Sequence, residues 1–369
     1  MGRVYAGQNG AVSDFHVNPA SLDGFADVLT GGDPDLAAAA TSDATGYAGS
    51  YIKAIGGRST LADYVSGATT ALSGHLQSTY PEIGSLLSAS GRALHHSARF
   101  YRTTDESTAA TMDAQRPGGT HIAFSHSPTR THVSNPRAAI RSTPSDDPIV
   151  PDAVHQVLGL SGWSSIGNDI LEIASVFGFD PVEKLTAHVF IDGGAVAQAG
   201  HAAEALAAFD RTVADDLQIG LGRMAADWRG HASGAATTYF TRLANAVYDH
   251  AGDLDDVATK FMGISEMISS ICDILGGLLA TVIDKLIICA GALASAGCLQ
   301  AIPAVDVIAD IIGAYEVYQT YSAWTKFADA LGNVINIVDG FTAAVEGIIG
   351  FTTSDDVLVK LPPKPYAGV

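Results

Sequence analysis

The feature that most constrains this chain is a stripe of apolar residues in its second half. Phe240, Leu243, Val247, His250, Leu254, Val257, Phe261, Ile264, Ile268, Ile271, Leu275, Leu278 and Val282 follow one another in alternating steps of three and four. Such spacing puts every member on one face of an α-helix, in the heptad pattern that requires a partner helix along its whole length. The whole helical arm that carries this stripe, if unbroken, would be about 75 Å long; Gly263 and Gly276-Gly277 are where a kink is expected. His250 is the polar member. It reads as a residue that fixes register, with pH sensing as the sharper alternative.

The partner is found just upstream. Leu206, Phe209, Val213 and Leu217 share one face of a helix expected over about Val196 to Ala226. Asp227-Trp228-Arg229-Gly230 joins the two arms, with Gly230 able to take the left-handed conformation that reverses the chain. Further helices are expected toward the N-terminus. Asn18-Pro19 is a cap followed by proline at the first helical position, ahead of Phe25, Val28 and Leu29. Another helix is expected from near Pro81 to about Ala114, carrying Ile83, Leu86, Leu87, Leu94, Ala98 and Tyr101. The predicted fold class is therefore all-α, an elongated helical bundle with long antiparallel hairpins.

The domain plan follows from composition shifts. Residues 1–115 form a helical module. Residues 116–152 hold six prolines and many Ser and Thr without apolar periodicity, which predicts a flexible linker. Residues 153–300 hold short helices, a restart at Asp180-Pro181 and the hairpin. Residues 301–369 are hydrophobic helices, with Pro303 dividing the greasy region, and an extended tail from Leu361.

Several function classes lose support at this level. With 39 acidic residues against 20 basic, nucleic-acid binding is disfavoured because phosphate contacts need clustered Lys and Arg. No cofactor or metal set is apparent. His95 and His96 are adjacent on a helix and so point about 100° apart, which suits solvent or a partner better than one shared metal. Gly220-x-Gly222 lacks the strand and third glycine of a dinucleotide site, and Gly159-Leu-Ser161-Gly-Trp163 lacks the last glycine of a nucleophile elbow. No carboxylate pair or Ser/His/Asp set stands out, so catalysis is not expected. Cys272, Cys289 and Cys298 are too sparse for a disulfide framework and read as buried thiols, a Cys289–Cys298 pair remaining open. Met1 to His16 has no apolar core of the kind a Sec signal carries. Leu286 to Val305 runs for 20 residues without a charge, the length a membrane span needs, yet it contains Gln300 and Pro303. Burial against the hairpin is preferred, with membrane insertion the alternative.

Two short patterns remain. Tyr101-x-x-x-Asp105 puts an aromatic hydroxyl and a carboxylate one helical turn apart on one face, a surface handle able to pack and to hydrogen-bond. Trp228-x-Gly230 sits between two long helices. In this context HVNPASLDGFADVL (16–29) and LLSASGRALHHSARFYRTTDESTAATMDA (86–114) resemble the EspC-type, PE-like substrates of actinobacterial type VII (ESX) secretion. MAADWRGHASGAATTYFTRLANAV (224–247) resembles the WXG family, and DPVEKLTAHVFIDGGAVAQAGHAAEAL (180–206) and LPPKPYAGV (361–369) resemble actinobacterial proteins with such a hairpin. The resemblance covers about two-thirds of the chain and departs at Gly193-Gly194, where relatives often carry an aromatic.

The resemblance implies a secreted or cell-surface protein exported without a cleaved Sec signal. It implies that Tyr101 and Asp105 act as a secretion signal read by the secretion ATPase or a chaperone, together with the Trp228/Gly230 turn. The long linker removes any requirement that the two motifs touch. A homo-oligomer, a WXG-family partner and a membrane stay open as partners.

Overall fold

The computed structural model describes residues 16–56, 59–114, 132–145, 192–295, 315–333 and 361–368. Within these the chain is all-α, apart from one antiparallel pairing of two-residue strands. The short helices expected over residues 153–191, and Ser161, Trp163, Asp180, Cys298, Gln300 and Pro303, lie outside the described residues.

The first helix, α1 (Pro19–Thr30), starts as its sequence dictates: the Asn18 side chain accepts from the Ala20 N–H, and Pro19 occupies the first turn. A short α2 (Leu36–Ala38), a π-helical turn (Ala39–Ala44) and α3 (Thr45–Tyr51) continue the same arm. It runs back along α4 (Thr60–Ala114). Helix α4 thus begins some twenty residues before the start expected at Pro81, which lies inside it. An interior proline forfeits one helical hydrogen bond and costs about 3 kcal/mol. Here the carbonyl it leaves belongs to solvent-exposed Gln77 and can turn to water. On the inner face Leu72, Leu76, Tyr80, Ile83 and Leu87 are almost wholly buried, each such side chain contributing about 1.5–3 kcal/mol, so packing outweighs the break.

The hairpin consists of α5 (Gly193–Asp227) and α6 (His231–Ser295). Asp192 caps α5 through the Ala195 N–H, and Gly193 and Gly194 begin its first turn. Helix α6 is continuous through Gly263 and Gly276-Gly277. Its seam is buried as predicted at each position but one: Leu279 takes the buried place expected for Leu278, which is half-buried. Two successive four-residue steps (Ile271, Leu275, Leu279) follow the 3.6-residue turn of a straight helix rather than the 3.5-residue repeat of a supercoil. Leu206, Phe209, Val213 and Leu217 of α5 are buried with it.

Helix α5 begins opposite Ser265, whose hydroxyl donates to the Gly193 carbonyl at 3.3 Å. The rest of α6 therefore needs another cover. A helix over residues 315–333 (α7) supplies part of it. Thr320, Phe327 and Leu331 are buried, and Thr320 Oγ1 lies 3.5 Å from Cys289 Sγ. Cys289 is a buried thiol whose pKa is raised, first by burial.

One continuous hydrophobic core joins the N-terminal arm, α4, the hairpin and the C-terminal pieces. The N-terminal arm touches α5 directly. The aromatic ring of Phe25 packs on the bare backbone of Gly220 and stands edge-on to Phe240 at 4.9 Å. A side chain at 220 would put its Cβ 2.2 Å from that ring, so glycine here serves close helix packing. Part of the expected linker is also held: the Ser134 N–H donates to Asp216 at 2.9 Å, Arg137 pairs with Asp43, and the Tyr47 hydroxyl donates to the Ser142 carbonyl at 3.3 Å.

Candidate functional site: the junction at the hairpin turn

The turn of the hairpin is the meeting point of both modules. After α5, Trp228 and Arg229 extend into a two-residue strand, β2. It pairs with β1 (His16–Val17), placing His16 opposite Arg229 and Val17 opposite Trp228. Gly230 then takes φ 126°, a conformation that costs other residues strain and glycine none. Helix α6 starts at once, with the Ser233 hydroxyl donating to the Trp228 carbonyl at 2.6 Å.

Side chains lock the junction. Asp227, the last residue of α5, accepts from the Ser21 hydroxyl, and its backbone carbonyl accepts from the Asn18 N–H at 2.9 Å. The start of α1 and the end of α5 therefore share their caps. Neither contact is visible in sequence, because Asn18 and Asp227 are 209 residues apart. On the neighbouring side Asp23 holds Arg102 and, at 2.8 Å, His95 Nδ1, while His95 Nε2 lies 3.3 Å from Asp27. His95 thus faces two carboxylates and His96 is exposed.

The two short motifs come together here. Trp228 is 1% exposed, and the Tyr101 ring stands edge-on to it with centroids 6.2 Å apart. Burial raises the Tyr101 pKa, offset in part by the Trp228 indole, whose N–H points toward the phenol without making a bond of good geometry among the described residues. Tyr101 is thus a buried bridge between α4 and the turn, not the exposed half of a surface handle. Asp105, one turn on, is exposed. So is Phe100, 47% accessible and packed edge-on against Tyr101 at 5.7 Å. Phe100 and Asp105 are exposed on either side of the buried Tyr101, which packs on Trp228. Phe100 was not singled out by spacing because it falls outside the apolar stripe of α4.

A second cluster sits deeper in the bundle. Seam residue His250 is fully buried, and its Nδ1 lies 2.7 Å from Asp210 Oδ2 on α5. Tyr80 of α4 donates its hydroxyl to the same carboxylate oxygen at 3.4 Å, and the His75 ring lies 5.8 Å from that of His250. Asp210 is raised by burial and held down by His250; burial and the facing His250 push His75 down to about 4. A carboxylate shared by α4, α5 and α6 fixes their register, the role read for His250 from its place in the seam. Among the described residues no group of three or more His, Cys, Asp or Glu is positioned to hold a metal ion.

Compared with family models, curated proteins and solved structures, the chain matches none.

Proposed function

We propose that this chain is exported by an actinobacterial type VII (ESX) secretion system and acts outside the cell as a helical interaction protein without catalysis. Tyr101, Asp105, Trp228 and Gly230 form its export signal. The observation that carries this reading is the edge-on contact of Tyr101 with Trp228, 6.2 Å between centroids, across two modules separated in sequence. Two motifs that the resemblance assigns to one signal share one junction, pinned by the β1–β2 pairing. The exposed Asp105 and Phe100 are what a secretion ATPase or chaperone would touch; Tyr101 and Trp228 hold them at a fixed angle to the turn. Because the N-terminal arm and α4 already cover the hairpin, the chain needs no separate WXG-family partner to complete the signal.

The test is export from an ESX-competent actinobacterium. Tyr101→Ala should disappear from the culture filtrate while remaining in the cell. Equal amounts of wild type and variant in the filtrate would refute the assignment.

One observation favours a second reading, a membrane-active secreted protein. Helix α6 is apolar enough to cross a membrane, with only 33% of its most apolar window buried, and it exposes Ile274, Ile287 and Ile288. Liposome flotation separates the two readings: a chain that stays in the soluble fraction without detergent rules the second one out.

A further inference from the structure

The C-terminal segment returns to the face beside the junction. Leu361 is 2% exposed and Tyr366 is 8% exposed, while Pro363, Lys364 and Pro365 between them face solvent. The Tyr366 ring inserts between α4 and α6, 5.9 Å from Tyr239 and 5.8 Å from Phe240. Its backbone N–H donates to Ser90 Oγ at 3.1 Å, and the Ser90 hydroxyl donates to the Tyr239 phenol, also at 3.1 Å. Gly368, at φ +77°, lies so close to α4 that an added Cβ would stand 3.0 Å from the Ala93 carbonyl and from Ser97 Oγ. The Tyr366 phenol is pushed up to about 12, by burial and then by its neighbour Tyr101. Ala93 and Ser97 stand two turns and one turn before Tyr101 on α4, so the segment lies along the helix face that leads to the residue bridging the two motifs.

We propose that residues 361–368 are a cis strap that docks in the groove between α4 and α6 and covers the α4 surface leading to Tyr101, a surface the export machinery must reach in addition to the exposed Asp105, so that export requires the strap to lift. This rests on the export-signal reading above. The chemistry suits a reversible contact. The prolines hold the segment extended before it docks, which lowers the ordering cost, and an aromatic-lined groove is the usual seat for such a segment. Yet its attachment depends on three buried side chains, Leu361, Pro362 and Tyr366, and the backbone bond of Tyr366 to Ser90, so removing the Tyr366 ring should release it. Gly368 matters for a second reason: its left-handed backbone and close approach to α4 leave no room for a β-branched side chain.

Docking and shielding are tested separately, in the full-length chain. The docked segment buries Leu361 and Tyr366 and ties the Tyr366 N–H to Ser90, which should slow exchange of that amide with solvent. In native-state hydrogen exchange the amide of residue 366 should exchange at least about tenfold more slowly in the wild type than in Tyr366→Ala. Equal rates overturn the docking. For shielding, Tyr366→Ala and Gly368→Val, each in the otherwise wild-type chain, should raise the filtrate amount at least about threefold; Gly368→Val touches no core side chain and guards against misfolding of the first variant. Filtrate amounts at or below wild type for both overturn the strap. If Tyr101→Ala is exported like wild type, the signal reading falls, and the exchange rates still decide whether the segment docks.

Discussion

Gly220→Ala puts the union of the N-terminal arm with the hairpin to a quantitative test. In a helix interior this substitution ordinarily gains about 1 kcal/mol. Here the new Cβ would meet Phe25 ring carbons at 2.2 and 2.3 Å, so the ring must retreat by about 1.2 Å to reach ordinary contact at 3.4 Å. Phe25 is fully buried and held edge-on by Phe240 at 4.9 Å, which leaves it little space to retreat. Overpacking of this kind costs about 1–3 kcal/mol, which cancels that gain and leaves a net loss of up to about 2 kcal/mol. Phe25→Ala alone should cost about 3–5 kcal/mol through lost burial and the cavity it leaves. In that background the clash is gone, and Gly220→Ala should become stabilising by about 1 kcal/mol. The difference between the two backgrounds amounts to a coupling of about 1–3 kcal/mol, within the range for residues in contact. Urea unfolding followed by far-ultraviolet circular dichroism measures all four corners of the cycle. If Gly220→Ala stabilises the chain in both backgrounds, Phe25 does not dock on α5 and the two modules do not share a core there.

Three more outcomes follow from individual side chains. Trp228→Ala should destabilise the chain by about 3–5 kcal/mol in the same assay, because a ring 1% exposed leaves a large cavity; an unchanged midpoint would make Trp228 a surface recognition residue. Burial raises Asp216 to about 6, so its folded form binds a proton more readily than its unfolded form does, and the stability this gives at low pH is lost as pH rises toward 6. Asp216→Asn keeps an acceptor for the Ser134 N–H, and should gain about 1 kcal/mol at neutral pH, after discounting for solvent screening, and nothing near pH 4; equal effects at both pH values would contradict the burial argument. His75, pushed down to about 4, works in the opposite sense: its neutral folded form is favoured above the ordinary histidine range, and stability falls as pH drops from about 6.5 toward 4. The acid loss should be smaller in His75→Gln, and identical acid unfolding profiles would remove His75 from the account.

The sequence made the hairpin legible because its signal is local and repetitive. A step of three or four either continues or fails, and the stripe from Phe240 to Val282 fails only at Leu278. The caps at Asn18 and the reversal at Gly230 were legible for the same reason, since each depends on one residue and its immediate neighbours. Pro81 misled because its local cost is real; what carries the helix through it is burial of Tyr80 and Ile83 against elements far away in sequence. Asp210 was hidden because an isolated carboxylate beside Phe209 looks like a solvated position until His250 and Tyr80 are seen to meet it. The docking of residues 132–145 was illegible in the same way. It depends on Asp216 and Asp43, ordinary acidic residues on other elements, accepting from Ser134 and Arg137. The adjacency of Tyr101 and Trp228 was the largest gap. Composition gave only a linker between them, and a linker says nothing about where its ends are brought.

The central claim is that one chain carries both parts of an export signal, with Asp105 its exposed contact. Asp105 suits the most direct measurement because it is solvent-exposed, so its loss should leave the fold intact. In an ESX-competent actinobacterium, the ratio of filtrate to cell-associated protein for Asp105→Ala should fall at least about tenfold below wild type, with an unchanged melting temperature for the purified variant. Export of Asp105→Ala at the wild-type ratio would contradict the account.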